Sequence, residues 1–148
     1  MTEYFIYLHS MVIGFMVLFV VVIAPSIFQS LEPSNAGTLL RRLFPRMFLY
    51  GMILTLAAAG MAILGAQYNL ALVSLVSAAG FCTNAYIIAP SINQARDELE
   101  NDENVSTKKF AWLHTASVSI FALQFLASVM CLIMVYKRAA SLVERLFK

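Results

Sequence analysis

The stretch Phe5-Ile-Tyr-Leu-His-Ser-Met-Val-Ile-Gly-Phe-Met-Val-Leu-Phe-Val-Val-Val-Ile-Ala24 runs for twenty residues without an Asp, Glu, Lys or Arg. As a helix rising about 1.5 Å per residue it is about 30 Å long, the thickness of a bilayer's hydrocarbon core. Three more stretches are equally free of charge: Met47 to Ala66, Leu70 to Ala89 and Phe110 to Tyr136. In hydrocarbon every backbone N–H and C=O must be satisfied within the protein, so an apolar run of this length folds as a helix. The expected fold class is an all-α integral membrane protein: one four-transmembrane-helix bundle over residues 1–148, with helices at about 5–24, 47–66, 70–89 and 110–136.

Working outward, only Gln67, Tyr68 and Asn69 separate the second and third runs, which makes those helices antiparallel neighbours. The other two loops then share the opposite membrane face, here called Y, and both termini lie on face X. The first Y loop opens at Pro25 and leads into a short amphipathic helix capped by Ser34 or Asn35. That helix turns Leu39, Leu40, Leu43 and Phe44 to lipid and Arg41 and Arg42 to headgroups, and Pro45-Arg46 marks a break or kink before helix two. The second Y loop opens at Pro90 and holds Asp97, Glu98, Glu100, Asp102 and Glu103, with Ser106 as the cap of helix four. Residues 137–148 read as an interfacial tail helix, with Ala139, Leu142, Val143 and Leu146 at helical spacing. Six basic residues on face Y (Arg41, Arg42, Arg46, Arg96, Lys108, Lys109) against four on face X (Lys137, Arg138, Arg145, Lys148) favour a cytoplasmic Y face and external termini.

Composition agrees with a bilayer environment, at 61% hydrophobic and 12% charged residues. A net charge of +2 is too small to imply a nucleic-acid partner. Cys82 and Cys131 both fall inside apolar runs, so neither a disulfide framework nor a zinc spacing is available. The opening Met-Thr-Glu-Tyr has no basic residue and the run behind it lacks a small-residue cleavage site, so it reads as a retained helix rather than a signal peptide.

Ile23-Ala-Pro-Ser-Ile27 recurs unchanged as Ile88-Ala-Pro-Ser-Ile92, at the Y end of helix one and again at the Y end of helix three. Arg41-Arg42-Leu43-Phe44 before helix two is echoed by Lys108-Lys109-Phe110 before helix four. The expectation is a duplicated helical hairpin with its pseudo-twofold axis along the membrane normal.

Ionisable and amide groups inside a membrane are costly, so each is a functional candidate. His9 and His114 start antiparallel helices and lie in opposite leaflets, roughly 20 Å apart, too far to share one haem iron. At the depth of His9, Met61, Met130 and Met134 complete a soft ligand set suited to haem b or copper, with Ser74, Ser77 and Cys131 nearby; ordinary packing is the competing account. At the depth of His114 lie Asn84, Ser117, Tyr50 and Tyr86. A hydrogen bond from Asn84 to His114 would hold helices three and four together, and a proton-relay or substrate role for Asn84, His114 and Ser117 is the sharper alternative. Gly80, Ser117, Ser119 and Ala57-Ala-Ala-Gly60 provide small residues for close helix approach. No soluble-enzyme motif and no intramembrane carboxylate is present. The residues therefore favour a non-enzymatic protein, a small transport or permeability factor or an accessory subunit. Its partners would be the lipid bilayer and either a second copy or a larger membrane complex. A haem- or copper-binding redox protein is the alternative.

Pro25 to Phe28, Ala36-Gly37, Phe44-Pro45-Arg46, Asn84 with Pro90 and Arg96, and Phe110-Ala-Trp-Leu-His114 followed by Ser117 stand in an order that resembles the transmembrane protein 205-like family. The resemblance covers nearly the whole chain and implies a four-helix membrane fold, in bacteria at the inner membrane, without an established reaction. His9, followed by an aromatic- and Gly-containing span, is also similar to HemJ-type protoporphyrinogen oxidases and copper-resistance D-type proteins. That second similarity implies haem or copper at His9.

Overall fold

The structure, a computed structural model, describes residues 2–101 and 107–146; Asp102, Glu103, Ser106 and the last two residues of the expected tail lie outside the described residues. Four helices long and apolar enough to cross a membrane make up the fold. They are α1 (Thr2–Ser30), α2 (Pro33–Leu64), α3 (Tyr68–Thr83, continuing through Asn84–Ile88 and Ala89–Asn101) and α4 (Thr107–Leu146). Among the described residues there is no strand. α1 and α3 each pack against both α2 and α4, and no Cα of α1 comes within 8 Å of one in α3, so those two helices sit diagonally across the bundle.

The helices outrun the expected boundaries, because those boundaries marked the hydrocarbon core and not the ends of hydrogen bonding. Pro25 and Pro90, expected to end helices one and three, lie inside continuous helical structure. Each is preceded by a five-residue π-helical turn, Phe19–Ile23 and Asn84–Ile88, closed by Ala24 N–H donating to the Phe19 carbonyl and Ala89 N–H to the Asn84 carbonyl. A proline ring collides with the carbonyl four residues earlier, and the wider turn makes room for it. The hydroxyls of Ser26 and Ser91 then donate to the carbonyls of Val22 and Ile87, both at 2.7 Å, so lipid meets fewer bare acceptors.

Two further boundaries are corrected. The separate amphipathic helix capped by Ser34 or Asn35 does not form. α2 starts at Pro33 with Glu32 in the N-cap position, makes no side-chain cap bond, and runs unbroken through Pro45 into the membrane. The tail is likewise continuous with α4, whose 40 residues reach about 60 Å and so extend beyond a 30 Å core. The α2–α3 connection falls at Gly65 to Gln67, slightly ahead of the expected Gln67 to Asn69. Ala66 N–H donates to the Ile63 carbonyl (2.9 Å) and Gln67 N–H to that of Ala62 (2.8 Å), the bond pair that stops a helix when the intervening residue is left-handed. Ala66 takes that left-handed conformation at φ 52°.

Packing follows one arithmetic. Phe5, His9, Val12, Met16 and Phe19 are the buried residues of the membrane part of α1, alternating steps of four and three. Buried residues of α3 stand at a constant separation of 65 from them: Leu70, Ser74, Ser77, Phe81 and Asn84. On α2, Gly51, Thr55, Ala58 and Ala62 are buried, and Gln124, Ser128, Cys131 and Val135 of α4 stand at a constant separation of 73. Steps of four and three keep one stripe of each helix facing its neighbours, as in left-handed bundles. Phe5, Ala62, Leu70, Cys131 and Val135 fill the X half of the core, and Met16, Phe48, Phe81 and Ala85 the Y half.

Candidate functional site

Between those two apolar halves lies a polar level centred on His9, which is fully buried. Its Nε2 is 3.0 Å from Ser74 Oγ on α3 and its Nδ1 is 3.1 Å from Ser128 Oγ on α4. Ser74 donates its own hydroxyl proton to the Leu70 carbonyl at 2.9 Å, which leaves its oxygen only as an acceptor toward His9. The proton assignment follows: Nε2–H donates to Ser74, and Nδ1 accepts from the Ser128 hydroxyl. A neutral imidazole with both nitrogens in use thus ties α1 to α3 across the diagonal and to α4 alongside. Thr55, the residue of α2 that corresponds to Ser128, is fully buried too, but turns its hydroxyl back to the carbonyls of Gly51 (2.8 Å) and Met52 (3.1 Å).

Of the soft ligands expected around His9, none takes a ring nitrogen. Met61 lines a shallow outer depression with Tyr4 and Tyr7, Met134 lies by Arg138 and the α2–α3 connection, and Met130 is exposed. A metal at His9 would have to displace one of the serines. Ser128 was not among the expected neighbours. The signal for it is the series Ser117, Phe121, Gln124, Ser128, Cys131 and Val135, whose steps of four and three mark the inward stripe of α4.

The remaining buried amides are Gln124 of that stripe and Asn84 of α3, which bonds to it. Gln124 Nε2 donates to the Ser77 carbonyl at 3.0 Å, and Asn84 Nδ2 to the Ser117 carbonyl at 3.3 Å. Asn84 therefore does bridge α3 and α4, but not through His114. His114 stands one turn nearer face Y, exposed, with its ring parallel to that of Phe110 at 6.1 Å. It lies fourteen residues from Ser128 along α4, about 21 Å, so the two histidines stand at different depths of the bundle. Asn84 Oδ1 is buried without a partner among the described residues. Replacing Asn84 with leucine therefore forfeits one long bond while relieving an unsatisfied oxygen, and the expected change in unfolding free energy is within about 1 kcal/mol. Unfolding in mixed detergent micelles measures it; a loss above about 2 kcal/mol would show the amide to be more than helix glue.

Past the Asn84–Ser117 contact, the Y half opens into a cavity of about 310 Å³ bounded by all four helices. Phe19 and Phe28 of α1, Phe44 and Phe48 of α2 and Phe121 of α4 give it apolar walls, and Arg41, Asn93, His114 and Ser117 are its polar lining. Its origin is visible in the backbone. Beyond Leu18 no Cα of α1 lies within 8 Å of one in α4 among the described residues, so these helices part in the Y leaflet. Val20, Phe28 and Val118, all more than half exposed, flank the gap. The opposite corner is closed: Ala36, Gly37 and Ala95 are buried, and Arg96 lies so close over Gly37 that no Cβ would fit without moving its guanidinium. At the membrane surface Arg41 pairs with Asp97, and Lys109 with Glu98 at 3.0 Å, joining α2, α3 and α4. These two acidic residues of the second Y loop thus pair within the chain. Pro25, Pro90 and Arg46 face outward.

Residues 7–101, more than half of the chain, match the model of a family described as a domain of unknown function, DUF4149. No curated protein and no solved structure matches the chain.

Proposed function

The chain belongs to the DUF4149 family, a domain of unknown function, and from the geometry of its Y half we propose that it is a small permeability factor that admits lipid-soluble molecules sideways from the Y leaflet. The observation that carries this reading is the cavity itself: apolar walls, four polar side chains, and a gap between α1 and α4 flanked by the exposed apolar side chains of Val20, Phe28 and Val118. Pockets that hold small molecules combine an apolar lining with a few convergent polar groups in this way. A haem or copper ion at His9 would cost a serine bond, so the geometry favours permeability over redox chemistry. Vesicles containing the protein should pass a lipophilic dye between leaflets faster than empty vesicles, and Val118→Trp, at the edge of the gap, should return the rate to that of empty vesicles. Equal rates with and without the protein would end the proposal.

We also read the two hairpins as copies of one unit. The matched π-helical turns, the paired Ser26 and Ser91 bonds and the constant separations of the buried residues support this. The finer likeness to transmembrane protein 205-like proteins gains a structural rationale from Ala36-Gly37 and Arg96, three of its marker residues, since Arg96 packs on Gly37. On the six-to-four distribution of basic residues, face Y is assigned to the cytoplasm of a bacterial inner membrane. A C-terminal alkaline phosphatase fusion should then be active and a C-terminal green fluorescent protein fusion dark; the reverse pattern inverts the assignment.

A further inference from the structure

We propose that the Y-side cavity binds the ring of an isoprenoid quinone: a flat, uncharged ring with carbonyl acceptors and an apolar tail. The inference rests on the lateral-entry reading and names the class of molecule that enters.

Three features of the cavity select this class. The first is its wall. The rings of Phe19 and Phe44 lie 5.3 Å apart, those of Phe44 and Phe48 5.8 Å apart and nearly parallel, and those of Phe48 and Phe121 6.2 Å apart, a continuous aromatic run from α1 through α2 to α4. Phenyl rings in series offer faces and edges to another flat ring more readily than to a saturated chain. The second is its polar lining. Ser117 is only 8% exposed, lines the cavity, and its hydroxyl has no hydrogen-bond partner among the described residues. The side chains of Asn93 and His114 line the same space, and they too make no hydrogen bond among those residues. His114 and Ser117 are three apart on α4 and so share a face, with each able to donate to a carbonyl oxygen. A donor this buried gains most from an acceptor that arrives already desolvated, as a ring carbonyl in lipid does.

The third feature is charge, and it separates a quinone from other membrane amphiphiles. Among the described residues, the one charged side chain lining the cavity, Arg41, is in an ion pair with Asp97. The site therefore presents no net positive charge to a phosphate or a carboxylate, and an uncharged ligand loses nothing by this. A volume of about 310 Å³ suits a substituted ring but not a full lipid. The tail leaves through the gap between Val20 and Phe28 on α1 and Val118 on α4.

The test uses the full chain in phosphatidylcholine nanodiscs and a photoactivatable short-tailed quinone, with crosslinks mapped by mass spectrometry. The expected crosslinks fall on cavity residues of α1, α2 and α4. Unlabelled decylubiquinone should compete, and dodecanol or oleic acid at equal concentration should not. Ser117→Phe, which fills the cavity, should reduce labelling at least about tenfold. Ser117→Ala and His114→Leu should each weaken competition about three- to tenfold, the effect of one hydrogen bond. Helicity and elution volume check that each variant folds. Equal competition by dodecanol, or labelling indifferent to Ser117→Phe in a folded variant, overturns the quinone assignment while dye transfer continues to support lateral entry. Absence of both labelling and dye transfer overturns the two together.

Discussion

Replacing His9 with alanine is expected to cost about 4 kcal/mol of unfolding free energy in mixed detergent micelles, more than half the stability of many small domains. Two effects add. Truncating a fully buried side chain of this size costs about 2–5 kcal/mol through the cavity it leaves. Each interhelical hydrogen bond lost in a membrane costs about 0.6–1 kcal/mol more. The bonds to Ser74 and Ser128 are the only described side-chain hydrogen bonds from α1 to α3 and α4 within the bundle, so no second tie compensates. Ser74→Ala and Ser128→Ala each remove one of them and should cost about 1 kcal/mol. If His9→Ala falls below about 1.5 kcal/mol, the imidazole is not the tie described here.

The second large effect is at Gly51. A Cβ there would stand 2.7 Å from two atoms of the Phe81 ring and 2.9 Å from a third. Phe81 is fully buried and in ring contact with Phe15 at 6.1 Å, so it has little room to withdraw. Gly51→Ala should therefore cost about 1–3 kcal/mol, the range for overpacking. Gly51→Leu should separate α2 from α3 and abolish a monodisperse folded form on size-exclusion chromatography. Two comparisons make the result specific. Gly60→Leu, on the same helix at a position where an added Cβ meets nothing within 4 Å, should be tolerated. Phe81→Ala in the Gly51→Leu background should recover part of the fold, whereas no recovery would mean that the clash lies elsewhere.

The number of helices, their antiparallel order and the separation of the histidines follow from charge-free runs alone, because lipid forces such runs into helices and connector lengths fix their sense. The ends of the helices do not follow. Pro25, Pro45 and Pro90 carry stop signals calibrated on water-soluble proteins, where a freed carbonyl is hydrated at no cost. Near a membrane the helix continues instead through a wider turn, and a serine hydroxyl satisfies a neighbouring carbonyl, as Ser26 does at Val22 and Ser91 at Ile87. Partner choice was lost for a different reason. Counting depth from helix centres put Met130 and Met134 near His9, whereas the stripe of fours and threes that places Ser128 there was already present in the sequence. The cavity is the least legible feature, since it arises where α1 leans away from α4, and a divergence of two helices leaves no mark in the spacing of either.

The two π-helical turns have a mechanical consequence. A helix is stiff because each turn is stitched to the next, and at Phe19–Ile23 and Asn84–Ile88 the stitching is coarser and is followed by a proline that supplies no stitch at all. The same two helices are riveted together at His9 and Ser74, well toward the other leaflet. The molecule is built like a clothes-peg, with its spring in the X half and its compliant jaws in the Y half. Of the two jaws only α1 is free to bend, because α3 is held at its Y end by Arg96 on Gly37 and by the Arg41–Asp97 pair.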